Sequence, residues 1–173
     1  MNEESANTEK AFNAIRRHDR ARDDAWIRTF LHRAPFGSLA TVYQGQPFIV
    51  MRNFAYDEAA HAIYLHGAVE GRFIENVRAD GRVCFSVGEM GRLTTAKKAI
   101  NFGVEFAGVV VFGRVVIVTY PAEARHGLEL LMEKYFPALE SGVDYEPIAD
   151  ADIEATAVFR IEIESWSGKA KSL

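Results

Sequence analysis

The sequence predicts a mainly β domain with flanking α-helices, its antiparallel sheet closed into a barrel. Three observations predict it. About six short apolar runs rich in β-branched residues are interspersed with about three helix-like segments. Successive runs are joined by short turns. The regular strand–helix–strand alternation of a parallel sheet is absent. A chain of 173 residues, 49% hydrophobic and 25% charged, is long and apolar enough for one domain with a real core.

The elements follow in order. Residues 1–20 are polar and read as a flexible N-terminal arm, or one lying on a partner, ahead of a single domain over 21–173. Asp23 or Asp24 caps a helix to about His32, with Trp26, Ile27, Phe30 and Leu31 on one face. Phe36 to Tyr43 is a strand, and Gln44-Gly45-Gln46 turns the chain into a second strand from Pro47 to about Tyr56. Ala62 to Leu65 is the third. Gly71 to Ala79 is a helix with Phe73, Ile74 and Val77 inward, ended by Asp80-Gly81. Arg82 to Val87 is the fourth strand. Residues 88–104, punctuated by Gly88, Gly91 and Gly103, read as a long excursion. Glu105 to Thr119 is a long strand with Gly113 at a bend or bulge. Pro121 opens a helix to about Phe136, with Leu128, Leu131, Met132 and Tyr135 on its apolar face. After an irregular connection over 138–154, Ala155 to Trp166 alternates as the final strand.

Composition excludes several functions. A net charge of −4 does not fit a nucleic-acid footprint. The one cysteine, Cys84, lies in an apolar run and leaves no intrachain disulfide. No apolar run reaches the roughly 20 residues of a membrane span, and the polar start lacks a signal-peptide core. A cytoplasmic protein is expected. His18, His32, His61 and His126 show no metal-ligand spacing, so no metal site is expected. No nucleophile–base–acid constellation supports covalent hydrolysis.

The segment Ala62 to Val87 carries the chemistry. Between two strands lies the loop His66-Gly67-Ala68, then Gly71-Arg72 at the head of a helix. Free backbone N–H groups and the positive end of a helix dipole make an anion site. Arg72 in the first turn adds a fork of donors suited to phosphate. A phosphorylated ligand is therefore expected.

At this point a family resemblance appears. FGSLAT (36–41), QPFIVMRNFAYD (46–57), IYLHGAVEGRF (63–73), GRVCFSV (81–87), VVVFG (109–113) and SGK (167–169) occur in the order of the pyridoxamine 5′-phosphate oxidase-related, FMN-binding split-barrel proteins. Among these, the chain most resembles the nitroimidazole-resistance (Nim-like) branch. The resemblance implies a six-stranded antiparallel split β-barrel with FMN between the two subunits of a homodimer. It implies that Arg72, beside Gly71, holds the flavin phosphate. It also places Val50, Met51, Arg52, Asn53, His66, Gly67 and Ala68 near the cofactor, and Trp166 to Lys169 near the isoalloxazine. Relatives often carry proline where this chain has Met51, and often serine where it has Gly108. The ending KAKSL does not match the biosynthetic oxidase, so vitamin B6 oxidation is not expected.

The residues leave alternatives open. Arg72 also fits a solvated helix arginine, and His66 a strand-end histidine bonded to backbone. His66 over the pocket would donate to a cofactor or substrate oxygen, which makes it the candidate catalytic residue. Arg52 is either an outward, solvated side chain or a positive charge near the flavin pyrimidine. Trp166 and Phe106 also fit core or interface aromatics. The expected activity is reduction of a small acceptor, nitro compounds included. The competing reading is a dimeric flavin- or haem-binding protein without turnover. No GxGxxG follows a strand, so the electron donor stays open.

Overall fold

A computed structural model describes residues 11–171. Its eight strands form one antiparallel sheet: β1 (Ala21–Arg22), β2 (Gly37–Tyr43), β3 (Gln46–Arg52), β4 (Ala55–Asp57), β5 (Ala62–Gly67), β6 (Arg82–Thr94), β7 (Gly103–Ile117) and β8 (Ala157–Lys171). Four helices flank it: α1 (Asp24–Arg33), α2 (Arg72–Ala79), α3 (Pro121–Tyr135) and α4 (Asp150–Ala155). None is long and apolar enough to cross a membrane.

The strand order is β3-β2-β6-β7-β8-β5-β4, with β1 added to β8. The two ends of this path, β3 and β4, are separated in the chain only by Asn53 and Phe54. The sheet therefore curls until its ends meet, which makes a split barrel.

This arrangement corrects the expected single strand from Pro47 to Tyr56. Its first half pairs with β2 and its second with β5. At the break Phe54 turns fully inward, its ring 4.9 Å from that of Phe85. The Phe54 N–H leaves the ladder and donates to the Tyr135 hydroxyl at 3.0 Å, which itself donates to the Pro35 carbonyl at 2.6 Å.

Inward rows fill the barrel. Leu39, Phe85 and Val111 are cross-strand neighbours with no exposed surface. Asp23 caps α1 by accepting from the Trp26 N–H at 2.9 Å, and Ile27, Phe30 and Leu31 bury the helix against the core. A second, outer cluster of Ala62, Tyr64, Val158 and Ala124 holds α3 on β5 and β8.

The expected excursion over 88–104 is mostly ladder. β6 runs on to Thr94 and β7 begins at Gly103, with Gly88 opposite Gly108 and Thr94 opposite Gly103. Arg92 and Glu105 pair across it at 3.0 Å. The glycines here sit within strands, where their usual punctuating role is overridden by pairing. The bulge expected at Gly113 is present as a register shift. The extra residue is on β8, and a Cβ at Gly113 would run into the Glu162 carbonyl.

Lys134 on α3 is half-buried without an acidic partner among the described residues. Its Nζ lies 3.6 Å from the centroid of the Phe54 ring and donates to the Leu31 carbonyl at 3.1 Å. Burial pulls its pKa down to about 8. A lysine depressed in the fold but normal when unfolded costs stability at low pH and loses that cost as pH rises through about 8 toward about 10.4. Denaturant unfolding should therefore show the native protein gaining stability relative to Lys134→Met between about pH 7 and about pH 9.5. A parallel pH dependence in both proteins would mean that the ammonium is not desolvated.

Candidate functional site

The site is built at the end of β5 and the head of α2. Phe73, Ile74 and Val77 bury α2 against the barrel. Buried Asn76 donates to the Thr41 hydroxyl of β2 at 2.8 Å and fixes the helix rotation. The helix begins after Gly71, whose φ of 114° lies in the region that favours glycine. Among the described residues no side chain caps its first turn, which leaves the backbone N–H groups there without a side-chain partner. Arg72 stands beside them, 56% exposed, 5.9 Å from the Tyr43 ring centroid and 4.0 Å from Glu75.

Arg52, at the last position of β3, is the more unusual cation. Its guanidinium lies 4.9 Å from the Phe73 ring centroid and about 3.3 Å from where a Gly67 Cβ would stand. It forms no ion pair among the described residues, and its Nε is buried without a hydrogen-bond partner. Burial pulls its pKa below the usual arginine value. An uncompensated guanidinium beside Asn53 and Gly67 is costly unless an anion or a polarised oxygen completes it.

His66 is on the outer face of β5, with Ala62 and Tyr64, and so faces α3 rather than the barrel interior. Burial first, and the Arg52 charge second, pull its pKa below the ordinary histidine value. The imidazole is therefore neutral at neutral pH and offers one N–H donor and one acceptor. It opens onto a cavity of about 310 Å³ walled by Leu128, Leu131, Met132 and Ile148. The segment 145–156 supplies the rest of this wall, including Glu146 and Asp152. The sequence offered one signal for it, the apolar face of the helix after Pro121, and none for the loop.

The predicted residues divide into four groups. Arg52, His66 and Gly67 come together where β3 and β5 end, with Asn53 and Ala68 next to them in the chain, while Gly71 and Arg72 stand at the head of α2, where Arg72 lies by Tyr43 at the opposite end of the β2–β3 hairpin from Arg52. Val50 faces inward against the core, while Met51 faces outward and accepts a hydrogen bond from Ser38 at 3.1 Å. Trp166 and Lys169 lie elsewhere on the same chain. Trp166 is eight residues along β8 from Val158, the cross-strand partner of His66. That is about 26 Å at the usual rise. Trp166 packs against His61 at 4.6 Å and donates to Asp24 at 2.9 Å, while Lys169 lies over Phe106.

The outer face of β3-β2-β6-β7 is apolar. Ile49, Ala40, Cys84 and Phe112 form one cross-strand row, and Met51, Ser38, Ser86 and Val110 the next. Ile49 is 64% and Met51 53% exposed. Residues 11–14 touch one border of this face, with Phe12 6.1 Å from Phe112 and Asn13 donating to the Trp166 carbonyl. The rest of the proposed arm, residues 1–10, lies outside the described residues.

The chain is thus a split barrel with a helix head left uncapped among the described residues and a half-buried guanidinium that makes no ion pair there. A family model described as pyridoxamine 5′-phosphate oxidase matches residues 23–170. The chain belongs to that family. A flavocytochrome from Azotobacter vinelandii superposes with a TM-score of 0.80 at 25% identity, over 92% of this chain and 73% of that one. An FAD-binding protein from Mesorhizobium loti gives 0.61 at 28% identity, over 88% and 98%. A candidate 5-nitroimidazole antibiotic resistance protein from Bacteroides thetaiotaomicron gives 0.71 at 21% identity, over 86% and 84%. Nothing matches among the curated proteins.

Proposed function

We propose that the protein is an FMN-dependent oxidoreductase that reduces a small-molecule acceptor, nitro compounds included, and works as a homodimer in the cytoplasm. The observation that carries this reading is Arg52, a half-buried guanidinium with an orphaned Nε, set against Gly67 of β5 and the Phe73 ring of α2. The residues fit a flavin mononucleotide. The α2 head with Gly71 and Arg72 suits a phosphate, Gly67 and Ala68 leave the backbone open to close approach, and Arg52 suits an electron-rich carbonyl edge or ring anion. A bound flavin supplies the reversible two-electron carrier that the side chains lack. Arg52 then holds positive charge against the reduced ring. Neutral His66 donates or accepts a hydrogen bond at the acceptor, and the cavity walls exclude water.

The homodimer reading rests on the outer face, where Ile49, Met51 and Val42 stand exposed in the single chain. In that assembly Trp166 and Lys169 would serve the second chain's flavin, which explains their distance from His66 here.

Arg72→Ala should weaken FMN by about 1.5–3 kcal/mol and leave riboflavin binding nearly unchanged, since only FMN carries the phosphate. Titration of apoprotein with both ligands checks this, and equal weakening of the two would remove Arg72 from the phosphate site.

A second reading, a haem- or flavin-binding protein without turnover, is favoured by the flavocytochrome likeness and by a neutral imidazole on an apolar cavity. Stopped-flow mixing of dithionite-reduced protein with a nitro acceptor under argon separates the two. Reoxidation faster than that of free FMN supports the oxidoreductase, and reoxidation no faster supports the carrier.

A further inference from the structure

The cavity beside His66 has a polarity that the flavin reading does not require. Its volume of about 310 Å³ is at the lower end of small-ligand sites. Leu128, Leu131, Met132 and Ile148 offer no hydrogen bond to water, so a roomy cavity of this kind favours an apolar body. Met132 and Tyr145 add a thioether and a ring suited to a flat aromatic.

The loop side of the cavity is acidic. Residues 137–156 carry Glu140, Asp144, Glu146, Asp150, Asp152 and Glu154 and no lysine, arginine or histidine. Arg125 reaches in from α3, but its guanidinium goes to Asp150 and the Ile148 carbonyl. Asp152 accepts from the Ala149 N–H at 2.8 Å, and neither it nor Glu146 has a cationic partner among the described residues. On the strand side stands His66, and at the next residue of β5 the Arg52 guanidinium lies against Gly67. Across this cavity the potential therefore runs from negative at the loop to positive at the strand.

We propose that this cavity seats the electron acceptor and selects a flat heteroaromatic carrying a cationic arm. The arm lies toward Glu146 and Asp152, and the electron-poor, oxygen-bearing end of the ring toward His66 and Arg52. The proposal rests on the flavin reading for its role as an acceptor site, but its binding preference stands without it. An anionic ligand of the same size meets two unpaired carboxylates and is rejected.

The test is equilibrium dialysis of purified protein, its flavin content read by absorbance in the same sample, against 5-nitroimidazoles bearing an aminoethyl, hydroxyethyl or carboxymethyl arm. The ammonium compound should bind about ten-fold tighter than the neutral one and the carboxylate about ten-fold weaker, the scale of a partly screened ion pair. The spread should shrink with added salt. The double variant Glu146→Gln/Asp152→Asn should erase it with flavin content unchanged, and Met132→Trp should narrow the cavity and weaken binding of all three. Equal affinities, an anion preference, or undiminished binding to Met132→Trp would overturn the proposal. Protein free of flavin that still ranks the three compounds in this order would defeat the flavin reading and leave the cavity's selectivity standing.

Discussion

Ile49→Glu is expected to turn the protein into a 19.3 kDa monomer that does not retain flavin. Ile49 is 64% exposed in the single chain and contacts no core side chain that a carboxylate would disturb. In a monomer the change should fall within about 0.5 kcal/mol of neutral stability. In a symmetric dimer each copy would place an unpaired charge on the Ile49–Ala40–Cys84–Phe112 row, and symmetry doubles the cost. A desolvated, unpaired charge costs several kcal/mol, enough to dissociate an ordinary dimer. Sedimentation together with flavin absorbance checks both parts. A variant that stays dimeric would show that the partner docks elsewhere. A flavin-loaded monomer would show that one chain completes the site.

Arg52→Leu should act with opposite signs on the empty and the loaded protein. Without ligand, the change removes a half-buried charge that has no partner, so the apoprotein should become more stable to denaturant. With flavin bound, it removes the positive charge that favours the reduced ring. The loss of about 1.5–3 kcal/mol of differential stabilisation lowers the two-electron midpoint potential by about 30–60 mV. Relative to the native protein, the variant should lose more affinity for reduced flavin than for oxidised flavin. Unchanged potential with a destabilised apoprotein would make Arg52 a structural residue stacked on Phe73.

What the sequence made legible was local. Asp23 announced α1, Pro121 announced α3, and the spacing of Phe73, Ile74 and Val77 gave the buried face of α2. The start of α2 at Gly71 and Arg72 was readable for the same reason, because a helix start is set by a few consecutive residues. Features set by distant partners were not readable. VMRNFAYD contains no glycine or proline, and the break at Phe54 is fixed by Tyr135, 81 residues away. The extension of β6 and β7 depends on glycines meeting across a ladder, where spacing alone suggests a loop. β1 is two residues long and exists only by pairing with β8. His66 was found as a residue but not as a direction. Its facing α3 and the acidic loop follows from β5 pairing with β8 beneath the helix.

We propose that this barrel holds a flavin mononucleotide at the head of α2. Mass spectrometry of the ligand released from protein purified without added cofactor decides the matter. The predicted result is FMN at one molecule per chain, accompanied by flavin absorbance in the native protein. Release of haem alone, or of no chromophore from protein that also fails to take up FMN, would contradict it.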